Sequence, residues 1–129
     1  MDTKLQNKIF KQFDYMMRER NLPMTQTCLC WGIETGDGWY NLIHKTLYKI
    51  QSYLDEKPKI KEIFAITQIK EKYATLRIYC NGSDDNIDKI IDKAEKESSK
   101  ICEKCGRKGR INKKEYWLRC ICDECDKEK

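Results

Sequence analysis

The sequence has one histidine, two prolines and no apolar run near the ~18 residues that cross a membrane. Its first ten residues, MDTKLQNKIF, contain neither the apolar segment nor the small-residue cleavage site of a signal peptide. We therefore expect a cytoplasmic protein that neither spans a membrane nor is exported. The single histidine also argues against nucleases that combine cysteine-bound zinc with catalytic histidines.

Charged residues make up 36% of the 129-residue sequence and hydrophobic residues 40%, with a formal net charge of +5. A chain of this length forms one domain, or one domain with a small appendage, and a modest core needs additional support. The net charge alone does not indicate a nucleic-acid partner. The eight cysteines offer that support, because in a reducing compartment they are more suited to metal binding than to disulfides.

Hydrophobic periodicity predicts an α+β fold, with three helices packed on a small antiparallel sheet. A capping box at Thr3 and Gln6 begins the first helix, which is predicted to continue until Pro23. The alternating residues 27–34, TCLCWGIE, predict a short strand. Asp37 is predicted to cap a second helix, which ends before Pro58.

A β-hairpin and a third helix follow in the sequence. Residues 60–80 are rich in β-branched and aromatic side chains and break at Glu71 and Lys72, which predicts two strands. The turn NGSDD then begins a helix whose apolar face runs from Ile87 to Ile101. We therefore predict an α+β body in residues 1–100 and a cysteine-rich module in residues 101–129.

Two CxxC pairs define this module. Cys102 and Cys105 form the first pair, Cys122 and Cys125 form the second, and residues 106–121 separate them. This spacing is a strong signal for one tetrahedral zinc ion in a zinc-ribbon or treble-clef-like module. Cys120 would leave only one residue before Cys122, so we interpret it as a packed thiol or a spare ligand.

Four thiolates would fill the coordination sphere and leave no position for water or substrate. We therefore predict one structural Zn²⁺ ion that folds the C-terminal residues and performs no chemistry. Iron remains an alternative occupant of the same tetrahedron.

The segment between the two pairs is strongly basic, and Glu115 is its one acidic residue. Such a segment can contact phosphates or an acidic protein, and it can equally be a solvated surface. Tyr116 adds an aromatic side chain near its distal end. Besides Lys104, the candidate contact residues are Arg107, Lys108, Arg110, Lys113, Lys114, Trp117 and Arg119.

Other candidate sites are weaker. His44 is predicted to be a lone surface histidine on the second helix. Cys28, Cys30 and Cys80 could meet as a second metal site, although buried thiols are the preferred interpretation. The GDG motif around Asp37 could hold phosphate, but its carboxylate favours helix capping instead.

From Trp31 to Cys125 the sequence resembles a set of small proteins carried by phages and prophages, to which no activity is assigned. The resemblance rests on the blocks WGIETGDGWYNLI, QIKEKYATLRIY and CEKCG, with a tryptophan and a C..C pair near the end. The last ligand in that set can be histidine where Cys125 stands here, which supports Cys122 and Cys125 as ligands. The related proteins have glycine at the position of Ala74.

This resemblance implies a phage accessory protein that acts in the cytoplasm of a bacterial host cell. We expect a non-enzymatic protein that binds a host or phage protein, such as a component of a bacterial defence system, through a surface around Trp31, Trp39 and the cysteine module. Nucleic-acid binding by the basic segment is the alternative. An enzyme is the least favoured class, and the oligomeric state stays open.

Overall fold

The computed structural model describes residues 1–114 and 117–127, which form two small sheets and five α-helices. This observation confirms the predicted α+β class, although the two short helices at residues 58–63 and 123–127 were not predicted. None of the described helices has the length and apolar character needed to cross a bilayer. The elements are α1 (Thr3–Gln12), β1 (Ile33–Glu34), α2 (Tyr40–Asp55), α3 (Pro58–Ile63), β2 (Ala65–Lys72), β3 (Thr75–Asn81), α4 (Asp85–Ser98), β4 (Arg110–Lys114), β5 (Trp117–Ile121) and α5 (Asp123–Lys127).

The larger sheet is mixed, so the prediction of an antiparallel sheet was wrong. Its strand order is β1-β2-β3, and β1 pairs parallel to β2 while β2 and β3 are antiparallel. The stretch predicted as one strand turns into a 3-10 helix at Leu29–Trp31, because Thr27 Oγ1 accepts the N–H of Leu29 at 3.1 Å. Only the last two residues of the stretch pair with β2.

Helix α1 begins and ends differently from the prediction. Asp2 caps it and accepts the N–H groups of Lys4 and Leu5, whereas Gln6 Oε1 accepts the N–H of Ile33 at 2.8 Å. The helix ends at Gln12, because Phe13 leaves helical geometry with a φ of −114° and a ψ of 41°. Further on, the carbonyl of Met16 accepts the N–H of Ile66 in β2. Apolar side chains from this part of the sequence are nevertheless buried, since Ile9, Phe13, Met16 and Met17 line the core.

The predicted cap of the second helix was also wrong. Asp37 lies in a 3-10 turn, Asp37–Trp39, and its Oδ1 accepts the N–H of Asp2 at 2.6 Å. Helix α2 begins at Tyr40 and ends at Asp55, before Pro58 as predicted. Its histidine, His44, is half-buried and bonds Gln12 Oε1 through Nε2 at 2.8 Å.

The hairpin between β2 and β3 turns at Tyr73 and Ala74, two residues beyond the predicted break. Both residues have positive φ angles, 52° and 68°, in a position where hairpins favour asparagine and glycine. Glu71 Oε2 accepts the N–H of Ala74 at 2.8 Å, and Ala74 is fully buried. Alanine therefore occupies a left-handed backbone position that favours glycine.

Side chains satisfy backbone groups at both edges of this sheet. Gln6 accepts the outer N–H of β1, and Ser98 Oγ in α4 accepts the N–H of Leu76 in β3 at 2.8 Å. Helix α4 begins at the cap Asp84 and buries Ile87 and Ala94 beside Ser98, in agreement with the predicted third helix. Such edge contacts oppose pairing with other chains.

We predict that Ser98→Ala destabilises the fold by about 1–3 kcal/mol, because it leaves the buried N–H of Leu76 without a partner. Chemical denaturation measures this change. Ser99→Ala is the matched control, since Ser99 Oγ only donates to the carbonyl of Lys96 in the exposed last turn. Equal stability of the two variants would contradict the prediction.

Candidate metal centre

Four cysteine sulfurs converge at the C-terminal end of the chain. The sulfurs of Cys102, Cys105, Cys122 and Cys125 all lie within 4.8 Å of one another, and those of Cys105 and Cys122 are 3.6 Å apart. Zinc–sulfur bonds of about 2.3 Å would separate the sulfurs of a tetrahedron by roughly 3.8 Å. The arrangement is therefore consistent with a single metal ion, as the sequence predicted.

Local backbone turns bring each pair of sulfurs together. In the first pair, the N–H of Gly106 donates to the carbonyl of Cys102 at 2.9 Å, and Gly106 adopts a φ of 83° that favours glycine. In the second pair, the first turn of α5 directs the N–H of Cys125 at the sulfur of Cys122, at 3.4 Å. Both CxxC segments thus take conformations in which the sulfurs face a common point.

The electrostatic surroundings of the thiols differ. Burial opposes ionisation of Cys102, but the N–H groups of Cys105, Cys122 and Lys104 point at its sulfur and bring its pKa down to about 7. Burial, with the neighbouring cysteines, raises the pKa of Cys125 to about 12. Four ionised thiolates at this separation require a cation, and a bound metal ion would supply that charge.

Cys120 lies outside this cluster. It is buried in the main core, and its thiol donates to the carbonyl of Ile101 at 3.1 Å. Burial raises the pKa of Cys120 to about 11, which keeps the thiol protonated at neutral pH. Of the two interpretations left open by the sequence, the contacts favour a packed thiol.

The first CxxC pair is docked on the glycine-rich turn before α2. Gly36 and Gly38 donate their N–H groups to the side chain and the carbonyl of Glu103, at 2.8 and 2.7 Å. Trp39 Nε1 donates to the carbonyl of Ile101 at 2.8 Å. A side chain at position 38 would overlap the backbone of Cys102. The GDG motif therefore serves as a docking site for the cysteine segment, a role that its sequence did not indicate.

Burial raises the pKa of the Glu103 carboxyl group, while its hydrogen bond from Gly36 acts in the opposite direction. The docked glutamate is thus a half-buried polar contact between the body and the cysteine segment.

The predicted basic residues do not form one uniform patch. Arg110 pairs with Asp123 at 3.1 Å, and Arg119 pairs with Asp126 at 2.7 Å, so α5 neutralises two of the cations. Three of the other predicted cations are exposed and form no ion pair within the described residues: Arg107, Lys108 and Lys113. The side chain of Lys114, together with Glu115 and Tyr116, lies outside the described residues.

The three tryptophans have different environments. Trp39 is fully buried, so the prediction that it contributes to a contact surface was wrong. Its ring packs in the core, and its indole N–H donates to the carbonyl of Ile101. Trp31 and Trp117 are exposed, with 64% and 68% of their surfaces accessible.

Trp117 lines a cleft of about 710 Å³, which we call the aromatic cleft. It is lined by Glu71, Tyr73, Glu103, Lys113, Trp117, Leu118 and Arg119.

Cys28, Cys30 and Cys80 do not join a metal-binding group within the part of the chain that the structure describes. Cys28 is exposed rather than buried, because it precedes the 3-10 helix instead of lying in a strand. Cys30 and Cys80 are half-buried, and burial raises the pKa of Cys80.

No family model matches the chain, and no curated protein or solved structure matches it.

We predict that Cys122→Ser removes the bound metal, because serine does not supply the soft thiolate that completes the site. Native mass spectrometry and elemental analysis should show one ion per wild-type chain and a large loss in the variant. Cys120→Ala is the matched control and should keep the metal, since Cys120 lies outside the cluster. Metal loss in the control alone would contradict the assignment.

We predict that Gly38→Ala weakens metal binding by about 10- to 100-fold, because the added methyl group displaces the backbone that supports Cys102. Competition with a chromophoric chelator measures the affinity. Asn41→Ala, at an exposed position of the first turn of α2, should leave it unchanged. An unaltered affinity in Gly38→Ala would show that the docking contact does not support the site.

Proposed function

We propose that this chain is a non-catalytic binding protein. One structural zinc ion, held by Cys102, Cys105, Cys122 and Cys125, orders the C-terminal segment, and the aromatic cleft beside it contacts another protein. The observation that carries this proposal is the pair of exposed aromatic rings, Tyr73 and Trp117, in the cleft that adjoins the four-cysteine cluster.

The donor set supports zinc in a structural role. Four thiolates match the preference of zinc for tetrahedral sulfur coordination, and they leave no open position for a water molecule or a substrate. Cys102, Cys122 and Cys125 are buried, and only Cys105 is exposed. A metal enclosed in this way stabilises the fold and does not take part in a reaction. This argument supports a binding role over an enzymatic one.

The aromatic cleft supports protein binding. Tyr73 at the hairpin tip and Trp117 in β5 are 69% and 68% exposed, and half-buried Leu118 lies in the same cleft. Exposed tyrosine and tryptophan side chains supply much of the binding energy in protein interfaces. The cleft is also lined by Glu71 and Lys113, so it offers the partner one negative and one positive side chain at these positions.

The partner class follows from the resemblance to phage-borne proteins, which implies a host or phage protein such as a component of a bacterial defence system. A second candidate function is nucleic-acid binding. It is favoured by the exposed cations Arg107, Lys108 and Lys113, which form no ion pair within residues 1–114 and 117–127. The carboxylates of Glu71 and Glu103 in the cleft repel phosphate, and for this reason we rank protein binding first.

We predict that Tyr73→Ala combined with Trp117→Ala reduces capture of the partner by about tenfold or more, because the change removes both exposed rings. Affinity purification from bacterial lysate with quantitative mass spectrometry measures the capture. The control is Tyr48→Ala, which removes an exposed ring from α2.

Equal capture by the double variant and the control would contradict the proposed surface. Recovery of nucleic acid instead of protein, with an affinity that falls steeply as salt rises, would favour the second candidate.

A further inference from the structure

We propose that the outer edge of β4 binds an extended, acidic segment of the partner protein as an additional β-strand. The inference rests on the proposed protein-binding function and names the kind of partner segment that the site recognises. It is carried by the backbone of β4 and by the charges around it.

The hydrogen-bonding pattern shows which backbone groups of β4 face outward. The carbonyl of Cys120 in β5 accepts the N–H of Glu103 at 3.0 Å, so it points away from β4. Ile111 is the residue opposite Cys120, and in an antiparallel ladder opposite residues point the same way relative to the pair. The N–H and C=O groups of Ile111 therefore face away from β5, and those of Lys113, two residues later, do the same.

This edge differs from the other strand edges. Gln6 covers β1, Ser98 covers part of β3, and Glu103 pairs with the outer edge of β5. Within residues 1–114 and 117–127, no hydrogen bond outside the β4–β5 ladder reaches the backbone of Ile111 or Lys113. An unpaired edge of this kind is a template for strand addition.

The charges determine the type of strand. Residues 106–114 contain five cationic and no acidic side chains, and Arg107, Lys108 and Lys113 are free of ion pairs within the described residues. Pairing β4 with a second copy of itself would bring like charges together, which is unfavourable. An acidic segment is favoured instead. Ile111, 42% exposed, offers an apolar contact to that segment.

The backbone also favours a peptide over a nucleic acid. The outward carbonyls of Ile111 and Lys113 need hydrogen-bond donors, which the amides of an extended peptide supply at the matching strand repeat. Phosphate groups carry only acceptor oxygens at neutral pH and would leave these carbonyls unsatisfied. The edge therefore selects for main-chain amides together with negative charge.

A synthetic peptide of alternating glutamate and valine tests the proposal on the full-length, metal-loaded protein. Binding should shift the NMR signals of the Ile111 and Lys113 amides and slow their hydrogen exchange. The same peptide, N-methylated at its three central residues, keeps its charge but loses the central donors. It should bind at least about tenfold more weakly.

Protein variants test the charge contribution. Lys113→Glu should weaken peptide binding by about tenfold, whereas Lys59→Glu, the same charge change at an exposed position of α3, should alter it less than about twofold. Metal content and thermal unfolding confirm that both variants are folded.

Three outcomes would overturn the inference. They are equal binding of the N-methylated peptide, absence of binding at millimolar peptide, and stronger binding at the same amides by a single-stranded oligonucleotide of equal charge. If any of these occurs while Tyr73 and Trp117 are still required for partner capture, strand addition fails but the proposed function stands. If the peptide does not bind and partner capture does not require Tyr73 and Trp117, both strand addition and the proposed function are contradicted.

Discussion

The contact between the turn at Gly36–Trp39 and the first CxxC pair determines how the cysteine segment is oriented relative to α2 and the core. Gly38 donates to the carbonyl of Glu103, and the space beside its α-carbon is filled by the backbone of Cys102. The indole of Trp39 reaches the carbonyl of Ile101 from the core. Because these bonds join backbone to backbone and core to backbone, the orientation of the cysteine segment depends on glycines far away in the sequence.

Three sequence segments that lie far apart in the chain come together at this contact. The block with Gly36 and Gly38 docks on Glu103 of CEKCG, and Glu71 of QIKEKYATLRIY lines the same cleft as Glu103. Glu71 also accepts the N–H of Ala74 and so supports the left-handed turn. Segments separated by tens of residues thus support the same contact.

Features set by local chemistry could be predicted from the sequence, and features set by distant partners could not. The CxxC spacing and the turn NGSDD that begins α4 depend on neighbouring residues, and both predictions agree with the structure, in which Asp84 of that turn caps the helix. The turns that follow α1 contact β2 through the bond from Ile66 to Met16, and the indole N–H of buried Trp39 bonds a carbonyl 62 residues away. Periodicity contains no information about such contacts, so the helix was predicted too long and the tryptophan was assigned to the surface.

The docking of the cysteine segment on the core has a consequence for the protein inside a cell. A ligand that binds only the folded chain stabilises it by an amount that grows with the logarithm of the free ligand concentration. Under the zinc assignment, metal binding would also stabilise α2 and the core. The hydrogen bonds of the turn at Gly36–Trp39 connect these elements to the cysteine segment and require that segment to be ordered. The abundance of native protein would then follow the cell's supply of the metal, and starvation for zinc would expose the chain to proteolysis.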